Sequence, residues 1–334
     1  MGEVTAAVGG EVTGAPRILL TGANGFVGQA VLAEARAQAI QIVAVSRSTA
    51  PGKLRQIKGV TWIEADLSDP ANIPVLREAA RGCSAAIHAA AHLGSDEGAV
   101  SAATIDGTRH LLAALDGLPL HLVLVSSIAV YDTARLPTGS EISESTPLET
   151  PATARDPYVA GKLRQEELCR ASGLPLWILR PGAIFGEGRT WNAHLGPAFG
   201  PVLIRVGMKG ELPLAHVGHV AKRLLQAALR RPARMRVVNV VDPDRPDRTR
   251  FLRAHAASGW PKLVLPLPWP LWMLAARLLA PLGLRLPGLL RVPTLKARMM
   301  PLRYSDKGLL AALGPLPQDR FGALMAQALR EGTE

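Results

Sequence analysis

Thr21-Gly22-Ala23-Asn24-Gly25-Phe26-Val27-Gly28 stands between an apolar run, Ile18-Leu19-Leu20, and a helical pattern carried by Val31, Leu32 and Ala35. A buried strand, a glycine-rich turn and a helix in that order are the setting in which a dinucleotide pyrophosphate is bound. Gly22 permits the tight turn, Gly25 lets the backbone approach the phosphates, and Gly28 lets the helix pack against the strand. The helix N-terminus then offers free N–H groups and a positive dipole end to the anion.

On the C-terminal side of this turn, apolar runs keep alternating with helical patterns. Strands are predicted over 18–20, 42–45, 60–63, 85–88, 122–125 and 176–179, and helices over 26–38, 73–80, 104–115 and 159–171. Val237-Val238-Asn239-Val240-Val241 reads as one more strand returning late to the same sheet. Alternation of this kind defines an α/β fold, a Rossmann-type doubly wound parallel sheet. Residues 1–15 read as a flexible N-terminal tail without the apolar core of a signal peptide. Residues 16–186 are expected to form the dinucleotide-binding domain, and 187–334, rich in Pro, Gly and Arg, mainly a smaller substrate-binding lobe.

Apolar residues make up 48% of the 334, which excludes a disordered chain. Cys83 and Cys169 lie far apart without metal-ligand spacing, so they read as reduced thiols of a cytosolic protein, and no metal is expected. The net charge of +11 is uneven: residues 222–303 hold 17 Lys and Arg against the three acids Asp242, Asp244 and Asp247. Such a half attracts an anionic substrate, a cofactor phosphate or an acidic membrane surface, or is simply a solvated basic face. Nucleic acid is not expected, because the cations are not interleaved with aromatics and no nucleic-acid module motif is present. Residues 263–290 are strongly apolar, but Pro266, Pro268, Pro270, Pro281, Pro287, Arg277 and Arg285 exclude a transmembrane span. Two readings of that segment stand: a buried helix around 271–279 lining an apolar pocket, which is favoured, or a helix giving peripheral membrane contact.

The chemistry is carried by two further stretches. Ser126-Ser127-Ile128-Ala129-Val130-Tyr131 follows the fifth predicted strand, and Asp156-Pro157-Tyr158-Val159-Ala160-Gly161-Lys162 opens the next helix. Tyr158 and Lys162, four apart, share a helix face. A phenol titrates near ~10, too high for an efficient base at neutral pH. A neighbouring ammonium favours the phenolate and lowers that value. A serine at the carboxyl end of a strand is placed where open sheets bind ligands.

Together these residues resemble the short-chain dehydrogenase/reductase superfamily in its extended, epimerase/dehydratase-like branch, with features of the 3β-hydroxysteroid dehydrogenase-like members. The matching positions are Thr21 to Gly28, Asp66-Leu67, His88-Ala89-Ala90-Ala91, the set Ser127, Tyr158 and Lys162, and Arg180-Pro181-Gly182-Ala183-Ile184-Phe185-Gly186. The resemblance implies hydride transfer, with Tyr158 as general acid/base, Lys162 lowering its pKa and holding the nicotinamide ribose, and Ser127 bonding the reacting oxygen. It implies cofactor contacts at Gly22, Asn24, Gly25, Phe26, Val27, Gly28, Ser46, Arg47, Asp66, Leu67, Ala89, Ala90, Tyr158, Lys162, Pro181 and Ile184. It also implies a homodimer through the helices over 104–115 and 159–171. Where NAD enzymes have an acidic residue after the second strand this chain has Ser46-Arg47-Ser48, so NADP(H) is favoured over NAD(H); the other reading has Arg47 stacked on adenine or in solvent.

Departures from the family pattern narrow the substrate. Thr104 stands where many members have Asn, and Ala183 where nucleotide-sugar enzymes often have the Asn that helps bind a diphosphate. Ile128 and Ala129 follow Ser127 where dehydratases place an acid pair, which argues against dehydration. The favoured expectation is an NADP(H)-dependent reductase or dehydrogenase of a lipophilic ketone or alcohol. The alternatives are a nucleotide-sugar 4-epimerase or 4-ketoreductase, or a silent cofactor-binding sensor. His92, His194, His216 and His219 show no carboxylate partner by spacing and are expected to be structural or minor substrate contacts; Trp191 and Trp269 line the pocket or pack in the core.

Overall fold

A computed structural model describes residues 15–48, 52, 56–286, 288–317 and 319–332; residues 1–14 of the expected tail, and Pro287, lie outside the described residues. Seven strands form the central sheet: β1 (Arg17–Thr21), β2 (Gln41–Ser46), β3 (Val60–Glu64), β4 (Ala85–His88), β5 (His121–Val125), β6 (Leu176–Pro181) and β7 (Met235–Val240). All pair in parallel, in the order β7-β6-β5-β4-β1-β2-β3. The chain winds outward from β1 in both directions, so a crevice opens at the carboxyl ends of β1 and β4, the position where such sheets take ligands.

The strands read as unbroken apolar runs because both faces are covered. One face presents Ile18, Leu20, Ile42, Ile87, Val123 and Leu179 to α1 (Phe26–Ala37). The other presents Leu19, Val43, Ala86, Leu122, Leu124 and Ile178 to α2 (Ile73–Ala80) and α3 (Gly107–Leu115). α4 (Pro157–Ala171) begins where Asp156 accepts from Val159 N at 2.9 Å and Pro157 presets the first turn. The helix predicted over 104–115 is regular only from Gly107; Ser101–Asp106 is wound as a π turn. Buried Thr104 in that turn accepts His92 N at 2.9 Å, so its hydroxyl holds the loop after β4.

The second half of the chain is not one contiguous lobe. α5 (Val217–Ala228), β7 and the helix Lys307–Leu313 all return to the sheet and its first layer. The separate part is a small sheet in which Val202–Val206 lies between Leu263–Leu267 and Ala198–Phe199, followed by α6 (Trp269–Leu279) and α7 (Val292–Met299). The favoured expectation of a buried, pocket-lining helix around 271–279 is corrected here. α6 buries only Met273 and Ala276, and none of its residues lines the main cavity. Trp191 also packs away from that cavity, edge-on to Trp260 and beside Phe251 and His255.

His219 is a second correction, since it does have carboxylate partners. Its Nδ1 lies 2.8 Å from Asp242 Oδ1 and its Nε2 lies 3.2 Å from Asp319 Oδ2, joining α5, the end of β7 and the C-terminal segment. Burial alone pulls this imidazole down, but the hydrogen bonds and charges of Asp242 and Asp319 outweigh it and raise its pKa. A raised folded-state value means the stabilisation is fully present below the unfolded value of about 6.5 and is lost as pH rises through the folded one. His219→Gln should therefore cost about 1.5–3 kcal/mol near pH 6 and progressively less at higher pH, read from urea unfolding of both proteins across pH. A difference that does not shrink as pH rises would contradict a charged His219.

Candidate active site

The three glycines of the first turn each have a distinct physical requirement. Gly22 has φ +72°, and a Cβ there would lie 2.8 Å from Ala90 N and 2.9 Å from the Ala89 carbonyl carbon. A Cβ at Gly28 would lie 2.2 Å from Gly22 O, so only glycine lets α1 close on the turn. A Cβ at Gly25 would meet only Gly22 O, at 3.2 Å, with its other side open to the crevice. The Asn24 Oδ1 atom is buried without a hydrogen-bond partner, an orphan of the kind a ligand satisfies. The turn therefore fits a dinucleotide pyrophosphate: a backbone cradle, an open glycine and an unsatisfied polar atom at the start of a helix.

Two cavities share Gly22, Gly25, Ala89 and Ala91 and so make one continuous groove. The smaller one is lined by Ser46, Arg47, Asp66, Leu67, Ala90 and Asn24. Here Asp66 accepts from Ser68 N at 2.9 Å and Ser68 Oγ at 2.8 Å. Burial acts to raise the Asp66 carboxyl, but these bonds and the charge of Arg47 leave it lowered. Arg47 itself is exposed at the end of β2, and no acidic residue follows that strand directly.

The larger cavity, of about 420 Å³, holds Phe26, Val27, Ser127, Tyr158, Lys162, Pro181 and Ile184. The two serines after β5 have different partners. Ser126 is buried and donates to Glu166 at 2.6 Å, whereas Ser127 accepts Ala129 N at 3.1 Å and lines the cavity together with Tyr158. Burial pushes the Tyr158 phenol above its ordinary value; the Ser127 hydroxyl and the Arg155 charge offset part of this. Lys162 is buried one turn along α4, and its ammonium donates to Val125 O at 2.7 Å and Gln165 Oε1 at 2.8 Å. Burial lowers Lys162 to about 8. The expected lowering of Tyr158 by Lys162 is thus not how the phenol is balanced in this geometry.

Several residues around this set were missed at the level of sequence. Gln165, buried one turn beyond Lys162, donates to Thr108 Oγ1 at 2.9 Å and lies 3.0 Å from His88 Nε2. His88, bonded also to Thr21 at 2.7 Å, is held neutral because burial, with help from Lys162, lowers it to about 3. Glu166 accepts Arg180 Nε at 2.9 Å and Nη2 at 2.7 Å, and Arg180 also donates to Tyr131 OH at 3.0 Å. Tyr131 in turn donates to Asn239 at 2.6 Å on β7. The spacing of Gln165 three residues after Lys162 was the one available signal; the Arg180 pairing spans the sheet and had none. Arg180 is therefore committed to the core and Arg155 to Glu149 and Ala129 O, and the guanidinium groups left at the cavity are Arg189 and Arg298.

The family model for the NAD dependent epimerase/dehydratase family matches residues 18–239, and the chain belongs to that family. A polyketide synthase-nonribosomal peptide synthetase of Aspergillus clavatus is 31% identical over 189 residues, 51% of this chain but only 4% of that protein. Among solved structures, MoeE5 in complex with UDP-glucose and NAD superposes with TM-score 0.70 at 18% identity, covering 95% of this chain and 98% of that one. The terminal R domain from the myxalamid PKS-NRPS biosynthetic pathway gives TM-score 0.70 at 22% identity, covering 96% of this chain and 91% of the domain. The solved structures establish the Rossmann-type fold, and the family model gives the family.

Proposed function

We propose that this chain is an NADP(H)-dependent oxidoreductase acting on the ketone or secondary alcohol of a lipophilic small molecule. The observation that carries the reading is that Ser127, Tyr158 and buried Lys162 line the same cavity as the glycine cradle. The nicotinamide dinucleotide supplies the hydride. Ser127 holds the reacting oxygen, and Tyr158 exchanges its proton with that oxygen. A phenol held protonated by burial is the form that donates a proton in carbonyl reduction. Lys162, fixed by Val125 O and Gln165, would hold the ribose of the nicotinamide, and Leu93, Ile128, Ala129 and Ile142 supply apolar wall for the substrate. Homodimerisation through α3 and α4 accompanies this reading.

Arg47 beside Asp66 supports the choice of NADP(H), since a guanidinium there suits a 2′-phosphate. Arg47→Ala should weaken NADPH about 10- to 100-fold, equivalent to about 1.5–3 kcal/mol, and NADH by less than about threefold. Fluorescence titration of both cofactors checks this; equal losses would remove the 2′-phosphate role. A second reading, a nucleotide-sugar 4-epimerase or 4-ketoreductase, is favoured by Arg189 and Arg298 at the cavity, which suit a diphosphate. Consumption of NADPH and NADH against a pool of lipophilic ketones and a pool of nucleotide 4-ketosugars separates them. Oxidation of NADPH with the lipophilic pool is expected; turnover confined to ketosugars would overturn the first reading.

A further inference from the structure

The outward side of α6 leaves an apolar face uncovered. Leu271, Leu274 and Leu278 follow one another at helical spacing and are 56%, 55% and 72% exposed, and Leu282 beyond the helix is 59% exposed. Its inward side is already packed, with Met273 and Ala276 against Leu295 and Met299 of α7. The outer leucines therefore contribute nothing to the core on which the helix rests. Leu263 and Leu265, on the edge strand that leads into the helix, are also exposed. Arg277 is the one charged residue of α6.

Charge gives this face its partner. Residues 248–305 hold ten Lys and Arg and no Asp or Glu; Arg248 is buried, Arg250 is paired with Asp244 and Arg298 lines the cavity, which leaves seven. A leucine face set in an acid-free, cationic stretch is complementary to an anionic lipid surface, where acyl chains take the leucines and headgroup phosphates take the cations. A protein partner would be recognised with about one hydrogen bond per 100–200 Å² of contact, and among the side chains of α6 on this side only Arg277 offers a donor. No helix of the described residues is long and apolar enough to cross a membrane, so the contact is one of lying on the surface.

We propose that the Leu271–Leu274–Leu278 face of α6 docks this protein on the surface of an anionic lipid bilayer. α7, packed on the inner side of α6, carries Ala297 and Arg298 into the wall of the large cavity. Docking thus places one helix between the bilayer and the reaction site. A lipophilic substrate can pass to the cavity from the lipid phase, a consequence that rests on the function proposed above, although the docking itself does not.

The test is co-sedimentation of the full chain with vesicles of equimolar phosphatidylcholine and phosphatidylglycerol, and with vesicles of phosphatidylcholine alone. Binding is expected to the anionic vesicles, weakening as salt rises and as phosphatidylglycerol is removed. The triple variant L271S/L274S/L278S should lose roughly a hundredfold or more in partitioning while NADPH titration shows an unchanged fold. Arg277→Gln should weaken binding to anionic vesicles only. Unchanged sedimentation of the triple variant, or no sedimentation at low salt, would overturn the proposal. So would a dimer in analytical ultracentrifugation that the triple substitution abolishes, because a second copy would then cover the face. Vesicle binding in a protein that reduces no lipophilic ketone would leave the docking standing and overturn only the substrate reading.

Discussion

Tyr158→Phe is expected to lower turnover about 10²- to 10⁴-fold while leaving NADPH affinity within about threefold. The substitution removes one oxygen, the phenol atom that shares the cavity with Ser127 and that the proposed reaction uses to exchange a proton with the substrate. It leaves the glycine cradle, Arg47 and Lys162 unaltered, so the loss should fall on the chemical step. The phenol is raised by burial, and this fixes the sign of the pH profile. Carbonyl reduction needs the protonated phenol; it should be level through neutral pH and fall as pH rises through the raised Tyr158 value. Alcohol oxidation needs the phenolate and should climb over the same interval. Steady-state rates in both directions, for wild type and variant, check this. Turnover retained in Tyr158→Phe would remove Tyr158 from the proton transfer.

Glu166→Ala is expected to cost about 3–5 kcal/mol of stability, because it leaves the Arg180 guanidinium charged and buried without its carboxylate. Glu166 accepts from Ser126, from two nitrogens of Arg180 and from Arg170 at 3.1 Å, so one carboxylate ties α4 to the ends of β5 and β6. Ser126 adjoins Ser127, and Glu166 lies one turn after Lys162, so the loss should also reduce turnover. The double replacement Glu166→Leu with Arg180→Met removes both charges together and should recover much of the stability, since a buried ion pair is often no better than apolar residues of similar volume. Urea unfolding of the three proteins measures it; a cost under about 1 kcal/mol for Glu166→Ala would show that the pair is not buried as described.

How far the sequence carries depends on whether an interaction is local. Gly22 and Gly28 were legible because a turn and a close helix approach exclude a Cβ there, and Gly25 because it leaves the backbone open to the crevice. The parallel sheet was legible because strands covered on both faces are apolar throughout, and β7 was visible as Val-Val-Asn-Val-Val despite its late place. The choice of Ser127 over Ser126 agrees with the geometry, in which Ser126 is drawn under the strand end by Glu166. What stayed illegible was long-range. His219 meets Asp242 and Asp319 across 23 and 100 residues, and Tyr131 meets Asn239 across 108. α6 shows a different limit: it is apolar on all sides, so periodicity could not say which side faces the core. The structure answers that with Met273 and Ala276 inward and the leucines outward.

The central claim is net transfer of hydride to a substrate carbonyl with Tyr158 supplying the proton. NADPH carrying deuterium at C4 of the nicotinamide, incubated with the protein and the reactive ketone, tests it by mass spectrometry of the product. The account predicts one deuterium on the carbinol carbon, a solvent-derived proton on its oxygen and consumption of one NADPH for each alcohol formed. A product without that deuterium, formed with no net consumption of NADPH, would contradict it.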